Sequence, residues 1–163
     1  MLKVRDAATE ELAQIMKIYE CAQEYMIGTG NPTQWGHSYP STELIRSDIE
    51  KKNCKVLCDE QGIRGVFALI EDGEPNYEHI EGGQWLNDDP YLTIHRVAGD
   101  GQVHGIFRCI VDYCSRISPN IRIDTHADNL TMQKLIEKNG FTRCGVIHVE
   151  DGSPRFADQR VEK

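Results

Sequence analysis

The feature that most constrains the fold is a junction in the middle of the chain, where a strand pattern gives way to a helix pattern across a glycine-rich turn. Residues 91–98 alternate as a strand does, and from Gln102 to Cys114 apolar residues recur at helical spacing. Between them lies the turn Gly99-Asp100-Gly101. A helix start after such a turn offers unpaired backbone N–H groups at the positive end of the helix dipole. The junction suits a phosphate or pyrophosphate, and a simple tight turn stays open as the alternative.

Two standard nucleotide motifs do not fit this junction. The spacing Gly99-x-Gly101-x-x-x-Gly105 is one residue longer than the dinucleotide pattern G-x-G-x-x-G, and no G-K-[ST] sequence follows it. The sequence therefore disfavours a dehydrogenase or a nucleotide hydrolase.

The apolar patterns along the rest of the chain predict an α/β (α+β) fold. We expect a mixed, mostly antiparallel sheet of about six to seven strands flanked by about four helices. The 163 residues suit a single domain over 1–163. The predicted strands are 2–6, 54–59, 63–70, 91–98, 121–126, 141–149 and 155–161, and the predicted helices open at Thr9, Ser41, Gln102 and Asp128.

Charge and composition narrow the function classes. With 18 Lys and Arg against 26 Asp and Glu, the net charge of −8 disfavours nucleic acid and anionic membrane surfaces as partners. No apolar run approaches the ~18 residues of a spanning helix, and the first residues do not resemble a signal peptide. Six cysteines without a C-x-x-C pair are typical of reduced, apolar side chains. We therefore expect a cytoplasmic protein.

Several spaced segments carry a resemblance to a known family. They read Tyr-Leu-Thr-Ile-His-Arg-Val-Ala at 91–98, Gln-Val-His-Gly at 102–105, Asp-Thr-His-Ala-Asp-Asn-Leu at 124–130, Met-Gln-Lys-Leu at 132–135, and Gly-Phe at 140–141. These segments resemble the GNAT superfamily of N-acyltransferases, whose phosphate motif is Q/R-x-x-G-x-G/A. Gly30-Asn31-x-x-Gln34-Trp35 and Tyr39-Pro40 are similar to a set of bacterial members.

The resemblance implies that acetyl-CoA is the co-substrate, lying between the strands that end at Ala98 and His126. Phe107 stands where the family usually has a small residue, and its place on the helical stripe predicts that it turns into the core. The backbone of Val97 and Ala98 would bind the pantetheine and thioester region. Asn129 and Met132, on the next helix, would line the pantetheine channel. The pyrophosphate would be bound by a run of backbone N–H groups at Gln102, Val103, His104, Gly105, Ile106 and Phe107.

The activity implied by the resemblance is direct transfer of an acetyl group to a primary amine of a small molecule or peptide. Backbone N–H groups near Val97 and Ala98 would stabilise the oxyanion. The alternative is a non-catalytic acyl-CoA-binding or sensing module of the same fold, and only the enzyme would release free thiol when an amine is present. A homodimer is left open.

Catalytic residues are less clearly marked than the cofactor residues. Glu24, near the end of the first helix, is one candidate. Asp158 is the other, because related bacterial proteins tend to read Arg-x-Ala-Tyr where this chain has Arg155-Phe156-Ala157-Asp158. An ionised carboxylate cannot donate a proton unless burial raises its pKa, so we expect solvent to protonate the CoA thiolate.

Aromatic residues and histidines each allow a second interpretation. Three large aromatic residues in polar loops could line an acceptor pocket or hold their own loops against the core; they are Trp35, Tyr39 and Trp85. Three histidines lack the spacing of a metal site, so we expect no metal; they are His95, His104 and His126.

Overall fold

The computed structural model describes residues 1–162 as seven strands and four helices, with two short 3-10 turns at Thr9–Glu11 and Pro75–Tyr77. The strands are β1 (Lys3–Asp6), β2 (Cys54–Asp59), β3 (Gly62–Ile70), β4 (Leu92–Gly99), β5 (Asn120–Thr125), β6 (Thr142–His148) and β7 (Pro154–Val161). The helices are α1 (Leu12–Gly28), α2 (Thr42–Glu50), α3 (Ile106–Ser115) and α4 (Leu130–Lys138).

The strands follow the order β1-β2-β3-β4-β5-β7-β6 in the sheet. Strand β2 pairs antiparallel with β1 and β3, and β7 pairs antiparallel with β5 and β6. Strand β4 pairs parallel with β5. The predicted class, a mixed and mostly antiparallel sheet of about seven strands with four helices, is confirmed.

The described chain forms two compact units. One comprises 1–69 and 96–110, and the other comprises 70–95 and 111–162. A single domain over 1–163 stays a prediction.

The core of the first unit forms where the apolar faces of α1 and α2 pack against β2 and β3. Ser41 caps α2 as predicted, since its hydroxyl accepts the N–H of Leu44 at 3.1 Å. The buried apolar residues of this core include Ile15, Ile18, Tyr19, Ile45, Ile49, Val56, Val66 and Ala98. Burial of these side chains supplies the main stabilising free energy of the unit.

One cluster of buried residues in the second unit lies beneath the long 71–90 segment. Tyr77, Ile147 and Ala157 are buried there. Trp85 packs against them and donates its indole N–H to the carbonyl of Tyr77 at 2.9 Å. The segment predicted as a loop therefore folds back onto its own strands and contributes aromatic rings to the core.

Three predicted helix starts are corrected. Helix α3 begins at Ile106, not Gln102, because Gly105 adopts a left-handed backbone with φ +82°. Helix α4 begins at Leu130, and Asn129 is its N-cap. The predicted cap at Thr9 is wrong, because Ala8 occupies the cap position of a 3-10 turn that precedes α1.

Candidate functional site

Strand β4 has a kink at Arg96. Arg96 has a left-handed backbone with φ +53°, a conformation that side chains other than glycine rarely adopt. Its carbonyl accepts the hydroxyl of Tyr19 at 2.8 Å. Burial raises the pKa of Tyr19, so this hydroxyl stays protonated and keeps donating.

The guanidinium of Arg96 anchors the kink from the other side. Its Nε and Nη2 donate to both oxygens of the Asp48 carboxylate at 2.9 and 3.0 Å, and its Nη1 donates to the hydroxyl of Tyr39 at 3.1 Å. Such bidentate pairs fix orientation as well as distance. No sequence motif indicated the pairing of Arg96 with Asp48, although a charged residue between Ile45 and Ile49 on the apolar face of α2 was an available signal.

The kink comes directly before two predicted cofactor residues. Val97 is half-buried, and Ala98 is buried. Strand β4 continues through the kink to Gly99, so the kink changes the direction of the backbone directly before these two residues. The location suits the predicted thioester region.

The glycine-rich loop between β4 and α3 is tied down at its first residue. The Asp100 carboxylate accepts Nη1 of Arg64 at 3.0 Å and the backbone N–H of Gln102 at 2.8 Å. The backbone N–H of Gln102 is thus engaged within the loop. This contact organises the turn that leads into the helix.

The four residues that follow present backbone donors. Across the part of the chain that the structure describes, the N–H groups of Val103, His104, Gly105 and Ile106 donate to no protein acceptor. A Cβ at Gly105 would meet nothing within 4 Å, so the space beside this backbone is open. Ile106 is the first residue of a ten-residue helix and the other three directly precede it, so these donors lie at the helix N-terminus, where an anion is favoured.

Phe107 lies in the core, as predicted. Its ring is 3% exposed, and it shares the buried stripe of α3 with Ile110 and Val111. The bulky side chain therefore leaves the space beside the loop open. Val103, which the periodicity placed on that stripe, is instead a half-buried loop residue because the helix starts later.

In the second unit, β4 and β5 pair over a short stretch. The ladder comprises Leu92 with Ile121 and Thr93 with Arg122, whereas β5 and β7 share six residue pairs. Strand β4 continues through His95, and β5 continues through Asp124, with no further ladder pair in the described residues. The two strands therefore part after Thr93.

The two predicted cofactor residues of α4 have different environments. The side chain of Asn129 accepts the N–H of Met132 at 3.0 Å and so caps the helix. Met132 is half-buried in the first turn. A contact of Asn129 with pantetheine stays a prediction, beside a capping role that the structure shows.

A cluster of titratable groups lies where β4 and β5 part. Nε2 of His95 is 3.1 Å from a Glu74 oxygen, and its Nδ1 is 3.9 Å from Oδ2 of Asp124. The hydroxyl of Tyr77 donates to that same Oδ2 at 2.6 Å. The sequence placed His95 on a strand and disfavoured a metal role for it, and no sequence pattern indicated the cluster, because Glu74 and Tyr77 lie in a segment without a clear pattern.

The three loop aromatics all support their own surroundings. Trp35 is 8% exposed and packs edge-on to Tyr19, with ring centroids 5.7 Å apart. Tyr39 is exposed and contacts Arg96, while the Trp85 ring stacks on the guanidinium of Arg122 at 4.1 Å. A role of these rings in an acceptor pocket stays a prediction.

The two carboxylates named as catalytic candidates differ in burial. Glu24 is exposed on α1. Asp158 is buried on β7, in a groove of about 550 Å³ beside α4, and Arg143 is the nearest cation at 3.9 Å. Burial raises the pKa of Asp158 to about 6.

Within residues 1–162, no group of three or more His, Cys, Asp or Glu side chains is arranged to hold a metal ion. His126 accepts the N–H of Asp128 at 3.0 Å, and His104 is exposed in the glycine-rich loop. Over the same range, no helix combines the length and the apolar character needed to cross a bilayer.

Comparisons with solved structures identify the family. A GNAT-family acetyltransferase from Streptococcus agalactiae is 30% identical, over 99% of this chain and 96% of that chain, with a TM-score of 0.90. A GNAT-family acetyltransferase from Listeria monocytogenes is 19% identical, over 98% and 94% of the two chains, with a TM-score of 0.70. No protein-family profile and no curated protein matches the sequence.

A third structure, from Salmonella typhimurium, contains its cofactor acetyl-CoA. It is 14% identical, over 99% of this chain and 94% of that chain, with a TM-score of 0.62. At 19% and 14% identity the likeness concerns the fold alone, whereas the Streptococcus protein is similar in sequence over nearly its whole length. The chain belongs to the GNAT family of acetyltransferases.

Proposed function

We propose that this protein is an acetyl-CoA-dependent N-acetyltransferase that moves the acetyl group directly to a primary amine of a small molecule or peptide. One observation carries the proposal beyond family membership. The kinked end of β4 leads into a loop whose backbone N–H groups at Val103, His104, Gly105 and Ile106 have no acceptor among residues 1–162. A family fold with free donors at this helix start suits the pyrophosphate of CoA.

The proposed cofactor residues follow from this arrangement. Val97 and Ala98 would hold the thioester region through their backbone, and Asn129 and Met132 would border the pantetheine arm. The N–H groups of 103–107 would bind the pyrophosphate. Gln102 would contribute through its exposed side chain, since its own N–H is bonded to Asp100.

Bound acetyl-CoA supplies an activated acetyl thioester. Backbone N–H groups after the kink would stabilise negative charge on the carbonyl oxygen. The acceptor presents a harder problem, because an alkyl ammonium is neutral in only about one molecule per thousand at pH 7. A group of this chain must therefore accept a proton from it.

The net charge of the protein bears on the chemical class of the acceptor. A net charge of −8 favours a cationic acceptor over an anionic one. A cytoplasmic location, the absence of nucleic-acid and membrane partners, and a homodimer stay predictions. The sensing alternative differs in one respect, since a sensor would bind acetyl-CoA without releasing thiol.

Acetyl-CoA is expected to stabilise the protein, and Gly105→Glu is expected to remove that effect. A ligand at a hundred times its Kd contributes ~2.7 kcal/mol, which raises the Tm of a chain of this length by about 5–10 °C. Gly105→Glu places a carboxylate beside the pyrophosphate. Differential scanning fluorimetry with and without acetyl-CoA measures both effects.

Gly152→Glu is the matched control for that variant. Gly152 has φ +85°, against +82° for Gly105, and a Cβ at either glycine meets nothing within 4 Å. Both variants carry the same backbone strain, so only the position of the new carboxylate differs. If acetyl-CoA raised the Tm of both variants equally, the proposed position of the phosphate-binding loop at Gly105 would be wrong.

Release of CoA thiol in the presence of a primary amine is the expected activity. A thiol-reactive dye would follow acetyl-CoA incubated with butylamine, putrescine, spermidine, an amino-acid amide and a short peptide with a free N-terminus. At least one amine is expected to raise thiol release above the rate of hydrolysis. Stabilisation by acetyl-CoA without thiol release from any amine would favour the sensing alternative.

A further inference from the structure

The cluster of Glu74, His95 and Asp124 is placed to receive a proton from a bound ammonium. All three side chains are half-buried within the second unit, and they surround the point where β4 and β5 part. His95 belongs to β4, the strand whose Val97 and Ala98 carry the proposed thioester region. The positions of the hydrogens in the cluster determine which of its atoms can accept a proton.

Glu74 determines which imidazole nitrogen carries hydrogen. A carboxylate oxygen only accepts hydrogen bonds, so the contact at 3.1 Å requires the hydrogen of neutral His95 to be on Nε2. The backbone N–H of Glu74 donates to the hydroxyl of Tyr91 at 3.0 Å, which fixes this residue in place. Nδ1 of His95 is therefore left with a lone pair.

Asp124 presents a second acceptor toward that lone pair. Its Oδ2 is 3.9 Å from Nδ1, too far for a hydrogen bond between them. A nitrogen placed about 2.8 Å from both atoms would see them about 90° apart, which is within about 20° of the tetrahedral angle between two N–H bonds of an ammonium. Two facing acceptors at this spacing suit a donor with several hydrogens.

The charges around the cluster favour a cationic ligand. The hydroxyl of Tyr77 donates to Oδ2 of Asp124, and burial, with the charge of Asp124 adding to it, raises the pKa of Tyr77, so this tyrosine stays neutral. The nearby Arg122 stacks between the rings of Trp85 and Tyr91 at 4.1 and 4.0 Å. The two carboxylates thus lie beside the imidazole of His95 and a tyrosine that stays neutral.

We propose that His95 accepts the proton in the transfer reaction, that Asp124 binds the ammonium of the substrate amine, and that Glu74 is a positioning residue. The proposal rests on the proposed function.

In this reaction Nδ1 of His95 takes one proton from the ammonium, and the freed nitrogen lone pair forms the bond to the acetyl carbon. The carbon–sulfur bond breaks with its electron pair on sulfur. The second nitrogen proton passes through solvent to the thiolate, and the imidazolium returns its proton to solvent. Ammonium and acetyl-CoA thus give N-acetyl amine, CoA thiol and one proton.

His95→Gln tests the proton acceptor, because glutamine can still donate to Glu74 but cannot take a proton. We expect kcat to fall about hundredfold or more with the best alkylamine of the panel, since general bases contribute 10²–10⁴-fold. The Tm shift caused by acetyl-CoA should be unchanged. Hydroxylamine is already neutral at pH 7.5, so its acetylation should fall less than about tenfold.

His79→Gln is the matched control. His79 forms a comparable contact with Glu81 at 3.2 Å in the same 71–90 segment, but its side chain is 79% exposed. This variant should keep the wild-type kcat. A His95→Gln variant that matches it, or one that loses as much activity with hydroxylamine as with the alkylamine, would overturn the proposal.

Nitrogen NMR of the imidazole gives a readout that does not depend on turnover. We expect His95 to carry its hydrogen on Nε2, to shift toward the Nδ1–H form in Glu74→Ala, and to show a changed Nδ1 resonance when butylammonium is added. A wild-type Nδ1–H form, or no response to butylammonium, would contradict the proposal. Failure of the proposed function would be visible separately, as no thiol release from the wild-type protein with any amine.

Discussion

Arg96→Ala is expected to lower the free energy of unfolding by about 3–5 kcal/mol, because breaking a buried ion pair leaves its partner charge uncompensated. The Arg96 and Asp48 side chains are 12% and 7% exposed, and the pair is bidentate. Asp48 lies on the apolar face of α2 between Ile45 and Ile49, where water cannot replace the guanidinium. Urea unfolding monitored by circular dichroism measures the change.

Arg5→Ala supplies the comparison for this experiment. Arg5 also forms a bidentate pair, with Glu11 at 2.8 and 2.7 Å, but its side chain is 49% exposed. Exposed pairs are worth about 0–1 kcal/mol, so this variant should unfold near the wild-type midpoint. Equal losses in the two variants would mean that burial does not determine the value of the Arg96 pair.

Combining Asp48→Asn with Arg96→Ala distinguishes the contribution of the ion pair to the free energy of unfolding from the contribution of the kinked backbone. The double variant removes the buried charge together with its partner, so it should recover part of the stability lost in Arg96→Ala. The backbone contact from Tyr19 to the Arg96 carbonyl is retained in both. A double variant as unstable as the single one would place the loss in the backbone at φ +53° rather than in the uncompensated carboxylate.

Local sequence patterns predicted most of the fold because local physics determines most element boundaries. Ser41 caps α2, and Gly140, with φ +89°, follows the C-cap of α4, as its position after the apolar stripe indicated. The start of α3 was misplaced because Val103 continues an apolar periodicity that the left-handed backbone of Gly105 interrupts. Periodicity reports which residues are apolar, and it does not report the backbone angle of a glycine.

The candidate site was harder to predict because its contacts join distant parts of the sequence. Arg96 pairs with Asp48, 48 residues earlier, and Tyr77 bonds Asp124, 47 residues later. Neither member of a pair shows a distinctive pattern by itself. The cofactor loop, in contrast, is a run of neighbouring residues, so a motif in the sequence was enough to indicate it.

The family resemblance predicted a tyrosine in the final strand at the position where this chain has Asp158. Asp158 is 4% exposed, and one of its carboxylate oxygens has no hydrogen-bond partner within the described residues. A buried carboxylate with a single cation at 3.9 Å destabilises the folded protein when it is ionised. Its environment explains why its pKa is raised.

Asp158→Asn is therefore expected to stabilise the protein above pH 6 and to have little effect near pH 4. Burial raises the pKa of Asp158 from 3.8 to about 6, so the folded state binds this proton more tightly than the unfolded state. Stability contributed by the protonated group is fully present below pH 3.8 and is lost as the pH rises to 6. The loss is about 3 kcal/mol at most, at 1.36 kcal/mol per pKa unit.

Urea unfolding of wild type and Asp158→Asn at pH 4, 5, 6 and 8 measures this dependence. The difference in free energy should grow from near zero to about 1–3 kcal/mol in favour of the variant. Arg143→Ala should enlarge this difference in free energy, because the guanidinium at 3.9 Å lowers the pKa of Asp158.

The turnover of Asp158→Asn should change less than about tenfold if solvent protonates the thiolate, since a general acid would contribute 10²–10⁴-fold. A hundredfold loss of turnover with acetyl-CoA binding intact would instead make Asp158 the proton donor, and a pH-independent difference in stability would show that its carboxylate is not destabilised by burial.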